Sequence, residues 1–92
     1  MSALLHLVGF GPARTDQTEL LARACSPGDT LVLLDAGVEF ARPEGLAELR
    51  ASVPECRILI LGEIPGSGEP EPLDYAGLVE LTETHRGPAS WY

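Results

Sequence analysis

Three short runs of apolar residues most limit what this chain can fold into. They cover residues 3–10, 30–34 and 57–62, and their polar side chains are His6 and the leading residues Thr30 and Arg57. A continuous apolar run of this length is typical of a strand that is covered on both faces. The runs therefore predict three buried strands.

The segment between the first two runs predicts a helix. Asp16-Gln17-Thr18-Glu19 matches a capping box, in which the Asp16 carboxylate accepts a hydrogen bond from the Glu19 amide. We expect the helix to continue to about Cys25, because leucine and alanine follow at helical spacing. Ser26-Pro27-Gly28-Asp29 then predicts a tight turn into the second strand.

A second helix is predicted between Pro43, which suits a first helical turn, and Pro54, which ends the pattern. The order strand, helix, strand, helix, strand indicates a parallel sheet with helices on its faces. The predicted fold class is α/β, a small three-layer parallel-sheet domain with a flavodoxin-like βαβαβ core, and residues 1–92 form a single domain.

The last third of the chain has weaker patterns. Residues 63–72 are rich in Gly and Pro and predict an irregular loop. Asp74 is placed to cap a last helix, which Gly87-Pro88 would terminate, and residues 89–92 would form a terminal strand or arm. The residues expected to face inward from this helix are Leu78, Val79, Leu81 and Thr82.

Charge excludes one class of function. Six Arg and no Lys stand against fourteen acidic residues, which gives a net charge of −8 and leaves no basic face for a phosphate backbone. This argues against direct nucleic-acid binding. The N-terminal run lacks the positive start of a signal peptide and is too short to span a membrane, so we expect a cytosolic protein. A domain of 92 residues buries only about 60–65% of the surface that its unfolded chain exposes, which favours an oligomer.

In an open parallel sheet, ligands bind beyond the carboxyl ends of the strands. Here that edge would comprise Gly9 to Ala13, Asp35 to Val38, and Gly62 to Ile64. Its glycines form neither a dinucleotide fingerprint nor a P-loop. Asp35 is either a polar group of a site or, as we favour, a cap for the turn that Gly37 closes. A ligand-binding domain that uses the loop from Gly9 to Pro12 remains an alternative.

The nucleophilic residues do not form a catalytic set. Cys25 is expected at the negative, carboxyl-terminal end of the first helix, and Cys56 just before the third strand. Both therefore fall at the amino-terminal edge of the sheet, away from the carboxyl ends of the strands. We interpret them as inert thiols. His6 is expected in the core, and His85 suits the negative end of the last helix. Neither a metal, which would lack ligands of zinc spacing, nor a cofactor is expected.

Four stretches carry a resemblance to a known family: 5–8, 27–38, 73–81 and Ser90-Trp91. On these residues the chain resembles the DsrH/TusB family of sulfur-relay proteins, small α/β subunits related to the DsrE and DsrF (TusD and TusC) families. The resemblance implies a subunit of a cytosolic heterohexamer, with two copies of each of three related chains. Such complexes pass persulfide sulfur between carrier proteins, toward 2-thiouridine in tRNA in the Tus branch and toward sulfur oxidation in the Dsr branch.

The resemblance also bears on individual residues. The transferring cysteine of the family belongs mainly to the DsrE/TusD partner, and where some DsrH members have a cysteine this chain has Leu21, so the role is not carried over to Cys25. The fourth strand of the family would be reduced to residues near Leu73. The residues to which we assign interface or structural roles are Asp35, Gly37, Val38, Asp74 and Trp91.

The sequence thus favours a noncatalytic subunit of a sulfur-relay complex that contributes to thiolation of the tRNA wobble uridine. Its partners would be DsrE/TusD-like and DsrF/TusC-like chains, and it would reach sulfur carriers only through the complex. Two alternatives stay open: a DsrH-type subunit in dissimilatory sulfur oxidation, and a direct persulfide carrier that uses Cys25, the weak catalytic candidate.

Overall fold

The structure is a computed structural model that describes residues 3–62 and 71–92. The strands are β1 (Leu4–Val8), β2 (Thr30–Leu33), β3 (Arg57–Leu61), β4 (Glu71–Leu73) and β5 (Arg86–Trp91). The helices are α1 (Thr15–Ala24), α2 (Pro43–Ser52) and α3 (Tyr75–Thr84), and a 3₁₀ helix (Asp35–Ala41) follows β2.

The five strands form one parallel sheet in the order β4-β3-β2-β1-β5. The three strands predicted from the apolar runs are its central members. The prediction of an α/β domain with a parallel sheet is therefore confirmed. No helix in the described ranges is long and apolar enough to cross a membrane.

Alternate residues of the central strands point to opposite faces of the sheet. One face packs against α1, α2 and the 3₁₀ helix and holds the larger core cluster, in which Phe10 and Phe40 meet edge to face with ring centroids 5.8 Å apart. Leu21 of α1 and Leu49 of α2 are fully buried there. This face is the well-packed side of the molecule.

The other face is covered by α3. Among the described residues, Leu5, Val32 and Leu59 are fully buried between the sheet and this helix. Side chains at the carboxyl half of the same face remain half-buried, among them Leu7, Leu34 and Leu61. Within residues 3–62 and 71–92, α3 is the helix on this face, and its ten residues leave the face only partly covered, so we call it the thin side.

The predicted capping box of α1 is wrong. The helix begins at Thr15 after Arg14, no side chain caps it, and Asp16 lies inside the first turn with its carboxylate 3.4 Å from Arg14 Nε. The Arg14 amide donates to the Gly11 carbonyl, and the turn that this bond closes starts the helix at Thr15. The predicted capping box would have started it later, after Asp16. The predicted cap at Asp74 is confirmed, because its carboxylate accepts from the Gly77 amide at 2.7 Å.

Three other predictions for the last third are corrected. The loop predicted at 63–72 falls largely outside the described residues, but its last two residues, Glu71 and Pro72, belong to β4, an edge strand where proline is tolerated. Gly87 and Pro88 do not terminate α3; they lie within β5 and are joined by a cis peptide bond. Val79 and Thr82 are exposed rather than inward-facing, because Leu78 and Leu81 take the packed side of the helix.

Candidate functional site

A cleft lies at the carboxyl edge of the sheet, on the thin side of the molecule, with a volume of about 1010 Å³. This is where a parallel sheet is expected to place a site. Its walls are mostly apolar and come from the ends of β1, β2, β3 and β4 and from the first turn of α3. The lining residues are Leu7, Leu34, Asp35, Leu61, Gly62, Pro72, Leu73, Asp74, Tyr75 and Leu78.

Asp35 is one of two exposed carboxylates among the described lining residues of this cleft, the other being Asp74. Its backbone turns the chain out of β2 with a positive φ of 50°, and the Gly37 amide donates to the Leu34 carbonyl at 2.8 Å, so the residue starts a tight turn. The side chain also lines the cleft. The two roles that the sequence left open for Asp35, turn former and site group, are therefore both compatible with its geometry.

Gly37 fixes the position of this turn. The residue is buried, and a Cβ at its α-carbon would collide with the backbone carbonyl of Val8, at the end of β1. Val38, the next residue, is 38% exposed at the same edge. Only glycine allows the 3₁₀ helix to cross β1 this closely.

The loop from Gly9 to Pro12 packs against the end of β5 and against the 3₁₀ helix. The Gly9 amide donates to the Trp91 carbonyl at 2.7 Å, and the Tyr92 ring lies against the Gly9 α-carbon. Gly11 contacts the 3₁₀ helix at Ala36 and Glu39. This packing does not support the alternative of a ligand-binding domain that uses this loop. Ile64, also predicted at this edge, lies outside the described residues.

A buried polar chain links β1, β5 and the turn before β2. His6 is fully buried; its Nδ1 accepts from Trp91 Nε1 at 3.1 Å, and its Nε2 lies 2.9 Å from the Asp29 carboxylate. Because Nδ1 accepts, the proton of the neutral ring is on Nε2, which donates to Asp29. Each polar atom of the imidazole therefore has a partner inside the protein.

Asp29 is the centre of this chain. Its carboxylate also accepts from the backbone amides of Leu4 and Ser26, each at 3.0 Å. Burial acts to raise the pKa of Asp29, but these two amides and His6 outweigh it, and the pKa lies below its ordinary value. The sequence placed His6 correctly in the core but gave no signal for its partners, which are distant along the chain.

Both cysteines lie at the opposite, amino-terminal edge of the strands. Cys25 follows the last residue of α1, and Cys56 directly precedes β3. Burial, together with the nearby Cys56 and Asp29, raises the pKa of Cys25 to about 12. Burial and Asp29 also raise the pKa of Cys56.

No protein-family model matches the chain, and a comparison with curated proteins finds no relative. Function must therefore be argued from the geometry of the described residues and from the resemblance noted above.

The predicted interface residues are not brought into one cluster. Asp35, Val38 and the start of α3 lie at the carboxyl edge, whereas Trp91 of β5 packs against the larger core and is half-buried. Within the described ranges, no group of three or more His, Cys, Asp or Glu side chains could hold a metal ion. The cleft can bind an apolar surface beside the carboxylates of Asp35 and Asp74, and the lining residues that the structure describes include no Cys, Ser or Thr.

Proposed function

We propose that this chain is a noncatalytic subunit of a cytosolic sulfur-relay complex of the DsrH/TusB type, in which a partner chain supplies the cysteine that carries the persulfide. Within the Tus branch, the complex would serve 2-thiolation of the tRNA wobble uridine; a role in dissimilatory sulfur oxidation is the alternative. The observation that carries this proposal is the environment of the two thiols.

A persulfide carrier needs a thiolate at neutral pH and access to the sulfur donor. Cys25 is half-buried at the carboxyl end of α1, where the helix dipole opposes a negative charge, and its pKa is raised to about 12. Cys56 is buried, with 6% of its surface exposed. Neither thiol meets the requirement, which supports a role in assembly.

The thin face of the molecule suits a subunit contact. Tyr75 and Val79 of α3 are 75% and 56% exposed, and the half-buried leucines at the ends of β1, β2 and β3 lie beside the same helix. Exposed aromatic and aliphatic side chains next to a partly covered core are typical of interface centres. A partner seated on α3 would complete this layer.

The charge of the chain supports an indirect link to tRNA. With a net charge of −8 and six arginines in total, the chain has little to offer a phosphate backbone. Contact with tRNA would be made by other proteins that receive the sulfur.

Co-expression with DsrE-like and DsrF-like chains tests the assembly role. The wild-type chain should co-purify with both partners, and Val79→Glu should abolish this, because it places a charge on the proposed contact. Leu20→Glu is the matched control, since Leu20 is 50% exposed on α1, which packs against the opposite face. Native mass spectrometry of each mixture reports the composition. A wild-type chain that stays monomeric, or a Leu20→Glu variant that loses the partners equally, would contradict the proposal.

The partial exposure of Cys25 keeps the direct-carrier alternative testable. A reconstituted relay with labelled sulfur should transfer sulfur equally well with wild-type chain and with Cys25→Ser. Label recovered as a persulfide on Cys25, together with loss of transfer in the variant, would move the carrier role to this chain.

A further inference from the structure

The proposed function leaves the two cysteines unused, yet the fold places them side by side. The turn at 26–29 and the segment at 55–57 are joined by two backbone hydrogen bonds. The Gly28 amide donates to the Glu55 carbonyl and the Arg57 amide donates to the Asp29 carbonyl, each at 3.0 Å. The residues that flank the cysteines are therefore held in register by the backbone.

The two cysteines also share a cavity. Cys25 and Cys56 both line one small cavity of about 160 Å³. Cys56 Sγ also donates to the carbonyl of Ser26, the neighbour of Cys25, at 3.3 Å. Two cysteines that line one cavity, on backbone segments joined by hydrogen bonds, are placed to bond after rotation of their side chains.

We propose that Cys25 and Cys56 form an intramolecular disulfide by exchange with a low-molecular-weight disulfide such as oxidised glutathione. At neutral pH this exchange is slow, because the pKa of Cys25 is raised, and it proceeds through the small fraction of half-exposed Cys25 that has lost its proton. That thiolate attacks one sulfur of the oxidant, whose S–S bond breaks and releases one thiol. Cys56 then loses its proton and attacks the Cys25 sulfur of the mixed disulfide, releasing the second thiol. The protein loses two hydrogens, and the oxidant is reduced to two thiols.

This bond would tie the end of α1 to the start of β3. It would close the loop between residues 25 and 56 in the unfolded chain, and a cross-link of that span is expected to raise Tm by on the order of 10 °C. The inference does not depend on the relay function, since it concerns only the geometry of this chain.

Redox equilibration of the full chain tests the inference. The protein is incubated in glutathione buffers of graded ratio, starting from reduced and from oxidised samples, in native buffer and in concentrated guanidinium chloride. After quenching by alkylation, a loss of two hydrogens in the intact mass reports the disulfide. Cleavage after Arg23, Arg50 and Arg57 then separates the two cysteines into different peptides unless they are bonded.

We expect the effective concentration of the thiol pair in the folded chain to exceed that in the unfolded chain by about 100-fold, because folding holds the sulfurs together. Cys25→Ser and Cys56→Ser should show no loss of two hydrogens. An effective concentration no higher than in the denaturant, accumulation of glutathione on Cys25, or a disulfide between two chains would overturn the inference. The wild-type titration decides the matter even if the Cys56 variant fails to fold.

Discussion

Gly37 packs its α-carbon against the Val8 carbonyl, and this contact leaves no room for a side chain. Gly37→Ala should lower the free energy of unfolding by about 3 kcal/mol, because backbone must move on one side or the other. Gly28→Ala is the control: Gly28 has a φ of +91° but open space around it, so only about 1 kcal/mol is expected. Urea unfolding followed by circular dichroism measures both. Equal losses in the two variants would mean that the close approach costs nothing.

Asp29 makes the free energy of unfolding depend on pH in the acid range. Its folded-state pKa lies below the ordinary value of 3.8, so its contribution is fully present above that value and is lost as pH falls through the folded pKa. Asp29→Asn should be less stable at neutral pH by about 1–3 kcal/mol, because an amide offers one oxygen to three donors. The difference between wild type and variant should shrink as the acid limit is approached in urea titrations at several pH values. A difference that stays constant with pH would show that the carboxylate charge has no role.

The two acidic residues predicted as helix caps differ in what surrounds them. Asp74 accepts from the Gly77 amide, so Asp74→Ala should cost about 1 kcal/mol of unfolding free energy. Asp16→Ala should cost clearly less than Asp74→Ala, since Asp16 lies inside α1 and its exposed contact with Arg14 is weak. Urea unfolding of the two variants gives the comparison. A larger loss for Asp16 would restore the capping box that the structure lacks.

The elements were predicted best where the apolar pattern was strongest. β1, β2 and β3 follow from continuous apolar runs, and α2 follows from Pro43 at its first position. The local pattern assigned Glu71 and Pro72 to a loop, because a three-residue edge strand has almost no pattern of its own, whereas the family resemblance placed a reduced fourth strand near Leu73, the last residue of β4. The sequence also could not tell that Val79 would be exposed, since the packed side of α3 depends on how the helix crosses the sheet.

Trp91 closes the whole sheet by linking the last strand to the first. Trp91→Phe keeps an aromatic ring but removes the donor to His6 Nδ1 and should cost about 1–3 kcal/mol, because a buried acceptor is left unpaired. Tyr92→Phe, at a residue 60% exposed, should change stability by less than about 0.5 kcal/mol. Unfolding curves recorded by far-ultraviolet circular dichroism avoid the missing tryptophan signal. If Trp91→Phe leaves the free energy of unfolding unchanged, the hydrogen bond to His6 does not stabilise β5 and packing alone holds this strand.

The overall layer arrangement could be predicted from the order of elements, but the uneven thickness of the layers could not. The apolar runs indicate strands covered on both faces without saying how completely each face is covered. The cleft at Asp35 was anticipated from the rule for parallel sheets, whereas the cavity that Cys25 and Cys56 share depends on the three-dimensional placement of two segments distant in sequence. Such arrangements depend on tertiary packing, and the local sequence pattern does not predict them.

β1 and β5 are parallel neighbours, with the start of one and the end of the other at opposite edges of the sheet. A force that pulls the start of β1 away from the end of β5 would load their backbone hydrogen bonds in shear. Bonds loaded in this way share the tension and must break together, whereas an antiparallel pair pulled from one end would open one bond at a time. The domain should therefore resist stretching along this direction far better than its small core suggests.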